Sequence, residues 1–283
     1  MKLPRIYFLV YSIFFVIVAP GWSGQAELAL EEGLKLHEAG KPKEAIREYD
    51  RAVKADPKLA EAYFNRGNAH YDLGQNEQAV RDYREVIRLN PKDAEAFYNR
   101  GNCYLALDKK EDAIKDYGEA LSLDPSLVDA YYNRGIAYAD SAQYENAIRD
   151  FDEVLVRNPK SSNAFYNRAL SKAKIDRYEA AVEDYSEAMR LNSKDPEAPY
   201  NRGRAYLRLG KFDYAARDFS EVIVTQPRNA DAFIYRGIAR IYQGKDKEAD
   251  ADFQKAFQLN PAIKKSVQPI IDEAKAKAKP TQP

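Results

Sequence analysis

Residues 94–127 read AEAFYNRGNCYLALDKKEDAIKDYGEALSLDPSL, and residues 128–161 read VDAYYNRGIAYADSAQYENAIRDFDEVLVRNPKS. Set one above the other, they agree at the glycine, the proline and most apolar places, so the second is a copy of the first displaced by 34 residues. The register extends in both directions. Pro57, Pro91, Pro125, Pro159, Pro227 and Pro261 fall on one grid of 34, with Ser193 in the remaining place. Repeats therefore start near residues 26, 60, 94, 128, 162, 196 and 230, and positions below are counted from those starts.

Within each repeat the recurring residues lie at helical spacing. Position 4 is large (Tyr63, Phe97, Tyr131, Phe165, Phe233) and position 8 is glycine (Gly33, Gly67, Gly101, Gly135, Gly203, Gly237); with position 11 they share one face of a first helix. Position 20 is alanine throughout, from Ala45 to Ala249. Position 24 is aromatic throughout (Tyr49, Tyr83, Tyr117, Phe151, Tyr185, Phe219, Phe253), on one face of a second helix. Small residues at 8 and 20 let two backbones approach while the aromatic ring fills the space beside them. Proline at position 32 stops the second helix, because it lacks an N–H and restricts the residue before it. One such hairpin cannot bury its own apolar face, so neighbours must stack.

These residues resemble the tetratricopeptide repeat family: large at 4, small at 8, aromatic at 11, small at 20, aromatic at 24, small at 27 and proline at 32. The resemblance implies an all-α, right-handed superhelical solenoid of seven helical hairpins over residues 27–263, with the first helices lining the inner surface. Repeats five and six depart most. Ala169 replaces the glycine, Lys172 the aromatic group at 11 and Ser193 the proline, while Pro199, close to Pro196, is expected to shorten the start of its helix.

The ends differ from the middle. Glu31 and Glu32 stand where other repeats have Asn-Arg, a polar face suited to a cap. Val267, Ile270, Ile271 and Ala274 recur at helical spacing, predicting a capping helix over 264–279 and a disordered tail over 280–283. At the other end Lys2 and Arg5 precede an apolar stretch from Ile6 to Ala19, followed by small and helix-breaking residues to Ala26. That layout predicts a secretory signal over residues 1–26, cleaved after Gly24-Gln25-Ala26. The stretch is shorter than the roughly 20 residues of a permanent span, and an uncleaved anchor, the alternative, would be the chain's only membrane contact. Either reading places the rest outside the cytoplasm, periplasmic or secreted.

Bulk properties exclude several roles. Lys plus Arg equals Asp plus Glu at 44 each, so no long-range field favours nucleic acid. Cys103 is the single cysteine and sits at position 10, a small and buried place, so no intramolecular disulfide forms and no nucleophile is expected. His37 and His70 are the two histidines and have no metal-ligand spacing; no Gly-rich phosphate loop follows a strand. No catalysis, cofactor, metal or small-molecule substrate is expected, and the partner is a protein or peptide.

Position 6 is the candidate binding position: Asn65, Asn99, Asn133, Asn167 and Asn201. One carboxamide offers an acceptor and two donors, which suits a peptide group whatever its side chain. The column is similar to the asparagine ladders of peptide-gripping members of the family, which implies that it faces the groove; the alternative is a bond to a neighbouring helix. Position 5 reads Phe64, Tyr98, Tyr132, Tyr166 and Tyr200, rigid contact groups bordering the same face or packing between first helices. Asp72 and Asp140 add negative charge toward the N-terminal half, and Lys174, Arg204 and Arg208 positive charge toward the other. Arginine at position 7 recurs with aspartate at position 23, which points to ion pairs within the fold, of modest worth where exposed. Position 5 is aromatic or aliphatic and position 2 carries no lysine, so the lysine clamp of chaperone-binding members is excluded. A structural component acting through the outer surface or the ends is the competing reading.

Overall fold

The computed structural model describes residues 22–193 and 195–278. The expected leader up to residue 21 and the tail over 280–283 lie outside the described residues. The chain divides into two compact units, one through Cys103 and one from Tyr104. The first holds α1 (Trp22–Glu38), α2 (Pro42–Ala55), α3 (Ala60–Asp72), α4 (Asn76–Leu89) and most of α5 (Ala94–Ala106). The second continues with α6 (Lys110–Leu123), α7 (Val128–Asp140), α8 (Tyr144–Arg157), α9 (Ser162–Lys174) and α10 (Tyr178–Leu191). It then runs through α11 (Glu197–Arg208), α12 (Phe212–Thr225), α13 (Ala230–Tyr242), α14 (Asp246–Leu259), a 3-10 turn at Pro261–Ile263 and α15 (Lys264–Ala278). The helices form consecutive antiparallel pairs, and no strand occurs among the described residues.

All seven position-24 rings are buried, as are all seven position-20 alanines. The glycine at position 8 lets the ring of its own hairpin come close, and repeat five is the exception, with Ala169 buried beside Tyr185. A Cβ on Gly135 would stand 2.8 Å from the Phe151 ring, and one on Gly237 2.5 Å from Phe253. Position 3 adds a column that the periodicity did not single out: Ala62, Ala96, Ala130, Ala164, Ala198 and Ala232 are fully buried.

Second helices pack on the first helix of the next repeat, α2 on α3 in the first unit and α6 on α7, α8 on α9, α10 on α11 and α12 on α13 in the second, where α7 also touches α9, α9 touches α11 and α11 touches α13. First helices thus form one continuous wall of that unit. The hairpins turn through a left-handed residue at position 15, where the following N–H reaches back to the carbonyl of position 11, as Gln143 does to Tyr138 at 2.8 Å. Glycine fills this place four times, but Ala142 holds φ 57° with a side chain. Ala142→Gly is therefore expected to stabilise the chain by about 1 kcal/mol. Thermal melting followed by circular dichroism checks it, and an unchanged or lower midpoint contradicts the strain.

Helix α1 begins at Trp22, ahead of the expected first repeat, and carries Ala26 buried within it. Helix α11 starts one position later than its neighbours and has 12 residues against 13 in α9 and α13, as Pro199 predicts. Helix α15 covers α13 with Ile271 and Ala274 buried and Val267 partly so. Ile270 departs from the expectation: it is 51% exposed, because it lies about 100° round the helix from Ile271.

Candidate functional site

The position-7 arginines are consumed by the fold. Arg134 grips Asp150 through Nε at 2.8 Å and Nη2 at 2.7 Å, and Arg66, Arg168, Arg202 and Arg236 grip Asp82, Asp184, Asp218 and Asp252 in the same two-pronged way. The remaining Nη1 reaches back to position 25 of the preceding repeat, to Asp50 at 2.6 Å, Asp152 at 2.5 Å, Ser186 at 2.9 Å and Ser220 at 3.2 Å. One guanidinium therefore ties its own hairpin and staples it to the one before. The carboxylates are only 3–6% exposed, so these pairs are not the modest surface bridges the sequence allowed for. Burial pushes the Asp150 and Asp218 carboxyls up, and the facing arginines pull them part of the way back. Position 11 supports the same carboxylate. Lys172 Nζ stands 2.7 Å from Asp184 and Arg240 Nη1 2.5 Å from Asp252, where Tyr138 and Tyr206 in other repeats lie beside the arginine. Lys172 is thus a second cation on a buried acid.

None of the five position-6 asparagines is buried; all are partly exposed. Asn167 Nδ2 donates to the Tyr132 hydroxyl at 2.9 Å, and Asn201 Nδ2 to the Tyr166 hydroxyl at 3.0 Å and to the Glu197 carbonyl at 3.1 Å. The two columns, read separately from the sequence, form one device, in which the amide of a repeat is oriented by the position-5 phenol of the repeat before. The carbonyl acceptor of Glu197 requires a nitrogen on that side of Asn201, which turns Oδ1 away. No donor reaches the Oδ1 of Asn167 or Asn201 among the described residues. Burial, followed by Glu197 and Asp195, pushes the Tyr166 hydroxyl up to about 12, and burial also raises Tyr132. Both phenols stay protonated and, having accepted from the amide, keep an O–H to donate. Each rung thus presents an acceptor and a donor side by side, the complement of a peptide N–H and C=O.

Within each unit the residues present decide which asparagines meet a phenol. Asn65 bonds only its own helix, at the Glu61 carbonyl 2.8 Å away, since the preceding position 5 is Leu30. Asn99 follows Phe64, which has no hydroxyl to offer. Tyr98 belongs to the first unit and Asn133 to the second. The series ends at Tyr200, because Tyr235 occupies position 6 of the last repeat. Lys174 and Arg208 stand seven residues beyond Asn167 and Asn201, and Arg204 three beyond Asn201, on the same helix face and exposed. Asp72 is drawn out of the expected charge pattern by His37, whose Nε2 lies 2.9 Å away. Cys103 is buried and burial pushes its thiol up to about 12, which suits packing and not nucleophilic attack.

Paired helices joined by a left-handed turn, with a ring of the second helix seated on a glycine of the first, define helical-hairpin repeats of the tetratricopeptide type. Family models described as TPR repeat match residues 33–74, 67–108 and 174–210, and models described as tetratricopeptide repeat match 94–127, 128–161 and 200–262. The chain belongs to the tetratricopeptide repeat family, whose members generally mediate protein–protein interaction. Between these matches the stretch 162–173 is left uncovered, and it falls in α9, which carries Ala169 and Lys172 in place of the family residues.

Among solved structures, YrrB, described as a TPR protein with an unusual peptide-binding site, is 28% identical with TM-score 0.58, over 63% of this chain and 92% of that one. The MamA protein is 25% identical with TM-score 0.58, over 60% of this chain and 93% of that one. A TPR repeat-containing protein from Cytophaga hutchinsonii shares the fold with TM-score 0.71 at 18% identity, over 84% of this chain and 98% of its own solved part. Compared with the curated proteins, the chain has no match.

Proposed function

We propose that this chain is an exported scaffold that holds an extended segment of a partner protein along the first-helix wall of its second unit. The observation that carries the reading is the pair of rungs Tyr132–Asn167 and Tyr166–Asn201, each with an unmet amide oxygen beside a phenolic hydroxyl, the amide of the second rung being fixed by the Glu197 carbonyl. Neighbouring helices stand roughly 8–10 Å apart, and an extended chain advances about 3.3 Å per residue, so one rung meets about every third residue of the guest. Backbone recognition leaves the guest's side chains free to vary. The structural neighbour YrrB, with its peptide-binding site, is consistent with this use of the fold. The basic start and apolar stretch of the first 19 residues favour export, which cell fractionation with an epitope tag would check.

The test is the double variant Asn167→Ala with Asn201→Ala. Both side chains are partly exposed and bond phenols that water can satisfy, so the helical signal and melting midpoint should stay close to wild type. Affinity capture of partners from the native envelope is expected to fall by at least tenfold, since two desolvated peptide groups lose their partners. Undiminished capture by the folded variant would remove the rungs from the mechanism.

A further inference from the structure

The rungs stop where Tyr235 stands in place of an asparagine, and what gathers at that point is a different kind of site. The Tyr200 hydroxyl, which in an earlier repeat would receive an amide, has no partner among the described residues. Arg204 is exposed, and its Cζ lies 6.0 Å from the Tyr200 ring centre and 5.7 Å from that of Tyr235. No carboxylate pairs with it among the described residues, unlike every position-7 arginine of this unit. The two rings are themselves held. Tyr200 packs edge-on against Phe219 at 5.9 Å and Tyr235 stacks on Phe219 at 5.5 Å, and Phe219 is fully buried. A guanidinium resting against two fixed rings loses little freedom when it binds a second group.

We infer that the guest is acidic, and that the side-chain carboxylate of one of its aspartates or glutamates is received by Arg204 and the Tyr200 hydroxyl at the end of the rungs. The inference rests on the binding role proposed above. The surrounding charges favour it. Lys174 on α9 has no carboxylate partner among the described residues, and Arg208 on α11 has only Asp176, 3.6 Å away with both side chains well exposed. Asp176 is also engaged by the Tyr178 hydroxyl, and Arg208 lies over the Tyr178 ring at 5.0 Å. The opposing acids at position 2, Glu197 on α11 and Asp231 on α13, stand about 10 Å along the helix from the level of Arg204 but only about 4.5 Å from that of Tyr200, so Arg204 supplies the attraction and the Tyr200 hydroxyl only a hydrogen bond. Repeat five carries Asn163 there, so α9 adds no acid to that edge. Burial, then Tyr235, Asp231 and Glu197, raise the Tyr200 hydroxyl above its ordinary range while Arg204 lowers it, and it remains a donor.

The probe is an array of C-terminally amidated peptides of roughly ten residues, the length three repeats accommodate at about three residues each, with acidic, neutral and basic side chains permuted along them. Full-length chain is expected to retain peptides carrying aspartate or glutamate at one register about tenfold over their asparagine and glutamine counterparts. Arg204→Glu, at an exposed site that melting should show folded, is expected to reverse that preference toward lysine and arginine. Asn167→Ala with Asn201→Ala should lose every peptide regardless of charge.

Arg204→Glu leaving the preference unchanged while the asparagine variant still loses binding would overturn the acidic guest and leave the scaffold reading intact. Retention confined to peptides with a free terminal carboxylate, or to phosphorylated ones, would also overturn it. An array that retains nothing would sink both readings.

Discussion

Asp184→Ala is expected to lower the unfolding free energy by about 3–5 kcal/mol, among the largest effects open to a single side chain in this protein. The carboxylate is almost fully buried and receives two bonds from Arg168 and one from Lys172. Its removal strands two cations where water reaches them poorly, and it loosens Arg168, whose Nη1 also holds Asp152 of the preceding repeat. Assembling such a pair from water costs nearly what the pair returns, so the damage comes from leaving half of it behind. Two variants separate these ideas in guanidinium denaturation. The exposed Glu179→Ala should stay within about 0.5 kcal/mol, and replacing Arg168, Lys172 and Asp184 together by apolar residues of similar size should recover much of the loss. A loss below 1 kcal/mol for Asp184→Ala would mean the clasp contributes little.

Phe219→Ala is expected to cost a similar about 3–5 kcal/mol through an unfilled cavity. The ring is fully buried against Gly203, Tyr200 and Tyr235, and the glycine backbone cannot move in to fill the void without dragging α11 with it. The change should also reach the proposed binding surface, because Phe219 is what holds the two phenols under Arg204. Hydrogen exchange resolved by peptide is expected to show the loss concentrated in α11 to α13, since a repeat contacts only its neighbours. Protection that falls evenly through the second unit would contradict that local account.

Much of the fold is legible in the sequence because the 34-residue register prints each structural requirement several times. Glycine at 8 and the ring at 24 are one contact seen from two sides, as the approach of a Cβ on Gly135 to Phe151 shows. Other features resist reading for physical reasons. The left-handed turn at position 15 is hidden because Asp108, Ala142 and Asp176 occupy it as well as glycine, so no single residue type marks the place. Ile270 lies at helical spacing from its neighbours, and only the rotation of α15 on α13 decides that it faces water. Within the candidate site, Asn167 and Tyr132 are 35 residues apart in different hairpins, and spacing alone does not reveal that one orients the other. Lys172 reads as an exception to an aromatic column until its partner, the buried Asp184, is seen beside it.

The most direct test of a guest on the first-helix wall is site-specific photo-crosslinking in the native cell. A benzoylphenylalanine at Lys174, on the face that carries Asn167, is compared with one at Val156 and one at Val224, which are 75% and 82% exposed on second helices. The account predicts an adduct from position 174 that disappears when Asn167 and Asn201 are changed to alanine, and none of comparable yield from 156 or 224. Adducts from the second-helix positions with none at 174, or an adduct at 174 indifferent to both asparagines, would contradict it.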